Sequence, residues 1–248
     1  GDVDRDNVLT LQGVFQLLQE AAIAHANKYD TGTEAMITRG ESWVLNRMAV
    51  EIVRYPRYGE HLRVATWSSG IRGFKGYRDF RIRDRDGELV IAGSSLWVYV
   101  SVRTRSIIRV PREVAAQFPV GGAEALFPDL ETMELSGVDA AAALSSTFSL
   151  RYSDFDANAH VNNTAYLDLV QSALAAQGHD PRPRAVRIKY GRGIPAPAST
   201  AEVRLARHDG GGDARWVFSI VAGGEPSAVG EVDFPDQAGL RAVALKNV

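Results

Sequence analysis

The chain has 248 residues, 45% of them hydrophobic, enough for one large domain or two modest ones that each bury a core. Its 28 basic and 30 acidic residues leave a formal net charge of −2, a balance that points away from a nucleic-acid binder or a polybasic membrane protein. There is no cysteine, which excludes disulfides, thiolate metal sites and a cysteine nucleophile; any catalysis must come from oxygen or nitrogen groups.

The start of the chain has no charged region leading into an apolar signal core, and no stretch has the apolar length that spans a bilayer, so a soluble, cytoplasmic protein is expected. Residues 9–28 carry Leu11, Val14, Phe15, Leu17, Leu18, Ala21, Ala22 and His25 at mixed three- and four-residue spacing, the pattern of an amphipathic helix. Five segments follow that are rich in β-branched and aromatic residues, at 43–55, 62–68, 77–83, 89–100 and 107–110, with a turn signal at Asp86-Gly87. This half reads as one helix followed by a long antiparallel sheet.

Between Arg54 and Arg112 there are thirteen basic residues against five acidic ones. Alternation such as Arg81-Ile82-Arg83 sends every second side chain to water, so a solvated sheet face accounts for the excess; the sharper reading is a docking surface for an acidic carrier, centred on Arg72 to Arg85. Residues 111–145 then break the pattern with Pro119, Gly121-Gly122, Pro128 and an alanine-rich acidic stretch, the composition of a linker with at most short helices.

Beyond it, 147–152 reads as a strand, 164–177 as a helix, and 185–190, 201–207, 215–221 and 228–234 as further strands. The order repeats that of the first half, and Gly1-Asp2-Val3-Asp4 aligns with Ser153-Asp154-Phe155-Asp156 just upstream of the long helix, so the halves look like a diverged internal duplication. The strand at 147–152 has no counterpart before Gly1, which predicts an N-terminal strand missing from this sequence. A long helix across one antiparallel sheet is a stable two-layer unit, and two such units can pair their sheets edge to edge. The expected domains are 1–112 and 146–248, joined by a linker at 113–145.

The densest polar cluster is Asp154-Phe155-Asp156-Ala157-Asn158-Ala159-His160-Val161-Asn162-Asn163, immediately before the helix that contains Tyr166. It places a carboxylate, a carboxamide and an imidazole in a loop entering a helix N-terminus, where free N–H groups can bind developing negative charge, as acyl transfer requires. Taken singly, Asp156 and Asn158 would shape a turn and Asn162 or Asn163 would cap the helix.

As a set, Asp156, Asn158, His160, Val161, Asn162, Asn163 and Tyr166 form a run DxNxHVNNxxY that resembles the second-half signature of plant and bacterial acyl-ACP thioesterases. The first half resembles the same family through Leu17-Leu18-Gln19-Glu20, Trp43-Val44-Leu45, Arg78-Asp79-Phe80 and Ser95-Leu96-Trp97-Val98, so the resemblance covers nearly the whole chain. It implies an α+β protein of two tandem hotdog domains, thioester hydrolysis at a site built from the second, and the acyl tail held mainly by the first. Carried over position by position, it makes Asp156, Asn158 and His160 the catalytic candidates, with Asp156 as nucleophile or as base toward water, and the N–H groups around Asn162 and Asn163 the oxyanion site.

One position departs from the family. The plant enzymes carry a Glu-Cys pair after the strand that ends at Tyr190, and many bacterial relatives keep the Glu; the aligned residues here are Gly193 and Ile194. Water activation then falls to Asp156 or His160. The resemblance implies acyl carrier protein as partner, no cofactor or metal, and a monomer or homodimer. An acyl-CoA thioesterase is a second enzymatic reading, and Gly193 motivates a third, a catalytically inert acyl-binding protein. His25 is expected to be a packing histidine; His61, His179 and His208 read as surface positions. Trp43, Trp67, Trp97 and Trp216 fall in predicted strands, where core packing is the default.

Overall fold

The computed structural model describes residues 2–29, 32–122, 125–208 and 215–234. The chain divides into two compact units: an N-terminal unit of 16–53 and 59–133, and a C-terminal unit of Gly1–Phe15, Arg54–Tyr58 and Glu134–Asn247.

The apolar stripe of the first periodic segment folds as α1 (Leu11–Ala26), with Leu11, Val14, Phe15, Leu18 and Ala22 buried. A short helix that the sequence pattern did not announce, α2 (Thr33–Arg39), ends on Gly40 in the left-handed conformation. The N-terminal unit's sheet comprises β1 (Glu41–Ile52), β2 (Arg63–Arg72), β3 (Lys75–Arg83) and β4 (Leu89–Ser101), in antiparallel order β2-β3-β4-β1, with the two-residue β5 (Ser106–Ile107) added to β4. Residues 90–96 of β4 are all buried, and a Cβ on Gly93 would stand 3.6 Å from Leu18 Cδ1, so the helix lies close against the sheet at that glycine.

Side chains on β3 alternate as the period of a strand demands, with one surprise. Arg78 points with Phe80 and Ile82 toward the core and is 9% exposed, so the arginine-rich segment is not one solvated face. Its guanidinium donates to His25 Nδ1 at 3.2 Å and Thr66 Oγ1 at 3.1 Å, and lies 6.0 Å from the Phe118 ring. Because a guanidinium cannot accept, His25 is held neutral at that nitrogen, and burial followed by the Arg78 charge lowers its pKa. His25 thus packs, as the sequence suggested, against Tyr29 and Phe118.

The segment expected as a linker with at most short helices has one such helix and packs side chains into the N-terminal unit. Its first part forms α3 (Arg112–Ala116), which buries Val114 with Tyr99, Val110 and Phe118. Further on, Leu130 is 3% exposed against Ala49 and Leu96, flanked by Phe127 and Met133, and Arg47 donates to the carbonyls of Leu130 and Met133. Leu130→Ala is expected to cost about 2–4 kcal/mol of stability, the range for a buried leucine, measured by urea unfolding; a true linker position would cost nothing.

In the C-terminal unit, β6 (Leu144–Ser149), β7 (Ala185–Tyr190), β8 (Thr200–Arg207), β9 (Arg215–Ala222) and β10 (Glu225–Asp233) form an antiparallel sheet in the order β7-β10-β9-β8-β6. Helix α4 (Ala165–Ala176) buries Tyr166, Leu167, Leu169, Val170, Ala173 and Leu174. The predicted strand at 147–152 starts three residues earlier and stops at Ser149; Tyr152 instead opens a 3₁₀ turn and is 97% exposed. His179 and His208, expected at the surface, are half-buried. The His179 ring lies 4.3 Å from that of Trp216, because the loop after α4 folds back onto β9.

The backbone of the two loops is alike, as the expected duplication requires. In the loop ahead of α1, Asp4 N–H donates to Val8 O at 2.8 Å, Thr10 N–H to Asp2 O at 2.8 Å, and Asn7 sits at φ 58°. Ahead of α4, Asp156 N–H donates to His160 O at 2.8 Å, Asn162 N–H to Asp154 O at 2.7 Å, and Ala159 sits at φ 56°.

Candidate active site

The site is assembled on the loop between the 3₁₀ turn Tyr152–Asp154 and α4. Asp154, 4% exposed, anchors its start: the carboxylate accepts from Arg151 N–H at 2.7 Å and from Arg151 Nε at 3.1 Å, and Arg151 Nη2 reaches Asp168 on α4 at 3.0 Å. The loop then doubles back on itself, with bridges between Phe155 and Val161 and between His160 and Pro195. Ala159 takes the left-handed conformation at its tip, uncommon for a residue with a Cβ and a mark of a loop whose shape its surroundings impose.

Within that turn, Asp156 Oδ1 accepts from Asn158 N–H at 2.8 Å and His160 N–H at 3.3 Å. His160 is exposed, and its Nδ1 lies 2.8 Å from the carbonyl oxygen of Asn158. A carbonyl can only accept, so in the neutral ring Nδ1 carries the hydrogen and the Nε2 lone pair is left outward and basic. Asn158 works through its peptide group, and its carboxamide has no hydrogen bond among the described residues.

The two asparagines at the helix start divide the labour. Asn162 is spent on structure: its N–H goes to Asp154 O, and its Oδ1 accepts from Thr164 N–H and Thr164 Oγ1, both at 2.9 Å. The Asn163 N–H makes no hydrogen bond among the described residues, while its carbonyl accepts from Tyr190 OH at 3.1 Å. Of the two amides proposed from sequence for an oxyanion, the one at Asn163 is available, at the positive end of α4. The sequence could not make this distinction, because the partner of Asn162 N–H is a backbone carbonyl.

Three further groups frame the site. Tyr166 OH accepts from Ile194 N–H at 3.3 Å, and burial, with the nearby Asp156 charge adding, pushes its phenol up to about 12, so it stays protonated. Tyr190, buried, is also raised, by desolvation. Gly193, where the plant enzymes carry Glu, lies directly against the imidazole: a Cβ built there would stand 2.9 Å from His160 Cδ2. On the other side of the loop opens a cavity of about 710 Å³ lined by Tyr152, Phe155, Asp156, Ala159, Pro197 and Ser199. No cluster of three or more potential metal ligands occurs among the described residues.

Comparison with known proteins identifies the family. Residues 1–118 match the acyl-ACP thioesterase N-terminal domain, and residues 138–207 the acyl-ACP thioesterase C-terminal domain. A dodecanoyl-[acyl-carrier-protein] hydrolase of Cinnamomum camphora is 32% identical over 68% of this chain and 47% of its own length. A palmitoyl-acyl carrier protein thioesterase of Arabidopsis thaliana is 28% identical over 77% of this chain and 49% of its own. The chain spans about half the length of these curated relatives. Among solved structures, a 12:0-ACP thioesterase from Umbellularia californica matches with TM-score 0.79 at 24% identity, covering 94% of this chain and 92% of that one. An acyl-ACP thioesterase from Bacteroides thetaiotaomicron matches with TM-score 0.77 at 20% identity, covering 94% and 93%. These likenesses show the fold, an α+β protein of tandem hotdog domains, each a helix on an antiparallel sheet. With both domains matched in order and the DxNxHVNN loop folded at the start of α4, the chain belongs to the acyl-ACP thioesterase family.

Proposed function

We propose that this protein hydrolyses fatty acyl-ACP thioesters to free fatty acids. The observation that carries the reading is the His160 ring, exposed, held through Nδ1 on the Asn158 carbonyl and presenting Nε2 beside a helix start with a free Asn163 N–H. Water gives its proton to His160 Nε2 as its oxygen attacks the thioester carbonyl carbon. The carbonyl oxygen becomes an oxyanion, stabilised by the Asn163 N–H and the positive end of α4. Collapse expels the pantetheine sulfur, which takes the proton back from His160, leaving acid and thiol as the products. The Asn158 carboxamide is free to position water or the substrate carbonyl.

The partner in this reading is acyl carrier protein, a water-borne substrate, and no helix among the described residues is long and apolar enough to cross a membrane. The test is fatty-acid release from acyl-ACPs of graded chain length, with the matching acyl-CoAs in parallel. Release from ACP substrates supports the reading, and its maximum gives the chain preference. Release from CoA substrates alone would make it an acyl-CoA thioesterase. Tight acyl binding without release from either carrier would make it a binding protein.

A further inference from the structure

We propose that Asp156 is a positioning residue: its carboxylate holds the turn that presents His160 and does not itself take the proton or attack the carbonyl. The inference rests on the hydrolytic reading above for its kinetic arm, and its argument comes from the other copy of the loop in the same chain.

Seven hydrogen bonds recur in the two copies, at equivalent positions of the loop and of the segment it packs against. Beyond those given with the fold, Asn7 N–H donates to Asp4 O at 3.0 Å and Ala159 N–H to Asp156 O at 3.0 Å. Leu9 N–H donates to Pro56 O at 2.8 Å, and Val161 N–H to Ile194 O at 2.9 Å; Tyr58 N–H donates to Asn7 O at 2.9 Å, and Ala196 N–H to Ala159 O at 2.8 Å. The side-chain bonds recur as well. Asp4 Oδ1 accepts from Asp6 N–H at 2.9 Å and Val8 N–H at 3.1 Å, as Asp156 Oδ1 accepts from Asn158 and His160.

The first copy lacks the imidazole. Valine stands where the second has His160, and Asp4 Oδ2 is bound by Arg182 Nη2 at 2.7 Å, with Asp6 Oδ2 on the same nitrogen at 2.5 Å. Burial raises the Asp4 pKa, but Arg182 and the two backbone N–H groups outweigh it and hold the carboxyl below its ordinary range, the opposite of a base. An aspartate with the same two bonds is nevertheless present there, so the turn itself demands an acceptor at this position. Without one, two N–H groups at the loop's tip lose their partner.

In the second copy the same demand reaches the imidazole through one peptide unit. Asp156 Oδ1 holds Asn158 N–H, and the carbonyl of Asn158 holds His160 Nδ1–H. Among the described residues only Oδ1 accepts a hydrogen bond, and a carboxamide oxygen at the same place can accept the same two N–H groups.

The experiment compares Asp156→Asn with Asp156→Ala, reading kcat on acyl-ACP and the nitrogen-15 NMR signature of His160, assigned by its loss in His160→Gln. The expected result is that Asp156→Asn keeps kcat within about tenfold of the parent and shows the Nδ1–H tautomer, whereas Asp156→Ala loses about a hundredfold or more and the tautomer preference with it. An Asp156→Asn protein as inactive as Asp156→Ala while retaining the Nδ1–H signature would overturn the inference and make the carboxylate base or nucleophile. That conclusion from Asp156→Asn holds even where Asp156→Ala does not fold. If the parent itself releases no fatty acid, the hydrolytic reading fails and the tautomer decides alone. Its preservation in Asp156→Asn supports the positioning role, and its loss there refutes it.

Discussion

His160→Gln is expected to lower kcat on acyl-ACP by about 10²–10⁴-fold, the contribution of a positioned acid–base group, with little change in fold. Among the described residues the imidazole makes a single hydrogen bond, Nδ1 to the Asn158 carbonyl, and its ring is exposed, so its removal costs no core packing. The backbone bonds of His160, from its N–H to Asp156 Oδ1 and from Asp156 N–H to its carbonyl, survive the substitution. Glutamine is polar and of similar length but has no basic nitrogen. Steady-state thiol release gives the rate, and thermal unfolding checks that the melting midpoint stays within a few degrees. An active His160→Gln protein would mean that the proton goes elsewhere, and Asp156, the other titratable group of the turn, would then be the base.

Gly193→Ala is expected to lower kcat by about 10–100-fold while leaving stability unchanged or slightly raised. The two effects separate because the glycine is exposed and its backbone is outside the left-handed region, so alanine brings no conformational penalty there. Its methyl would stand 2.9 Å from His160 Cδ2, closer than carbon atoms approach. The ring is pinned by its 2.8 Å bond to Asn158 and must rotate off that carbonyl to make room. It then loses both its tautomer and its aim. Restoring the family's carboxylate as Gly193→Glu meets the same Cβ first, so no gain in rate is expected from it. Wild-type kcat in Gly193→Ala would show that the ring can move without loss, and the site would be looser than its hydrogen bonds indicate.

Gly193 thus takes on a meaning that the sequence alone does not give it. From sequence it is a lost carboxylate; in the structure it is the space that the imidazole occupies. A side chain at 193 and the His160 ring in its present place compete for one contact.

Much of the architecture was written in local pattern. The mixed three- and four-residue spacing of Leu11, Val14, Phe15 and Leu18 specifies a one-sided helix, and the alternation Phe80, Ile82 against Arg81, Arg83 specifies a strand, because those periods are properties of the backbone alone. The polar run from Asp154 to Asn163 was legible as a candidate site because a carboxylate, a carboxamide and an imidazole are concentrated just before a helix start. The duplication was legible from the order of elements and from Asp4 against Asp156.

What tertiary structure decided was where each polar atom is spent. The sequence treats Asn162 and Asn163 alike; a carbonyl at Asp154 consumes the N–H of the first and leaves the second free. It marks Arg78 as one more surface cation, although His25, Thr66 and Phe118 surround it in the core. It reads 113–145 as a spacer, while Val114 and Leu130 fill the N-terminal unit's core. Periodicity fixes which face a side chain occupies, but hydrogen-bond partners and core neighbours arrive from segments far away in the chain, so only the folded protein assigns them.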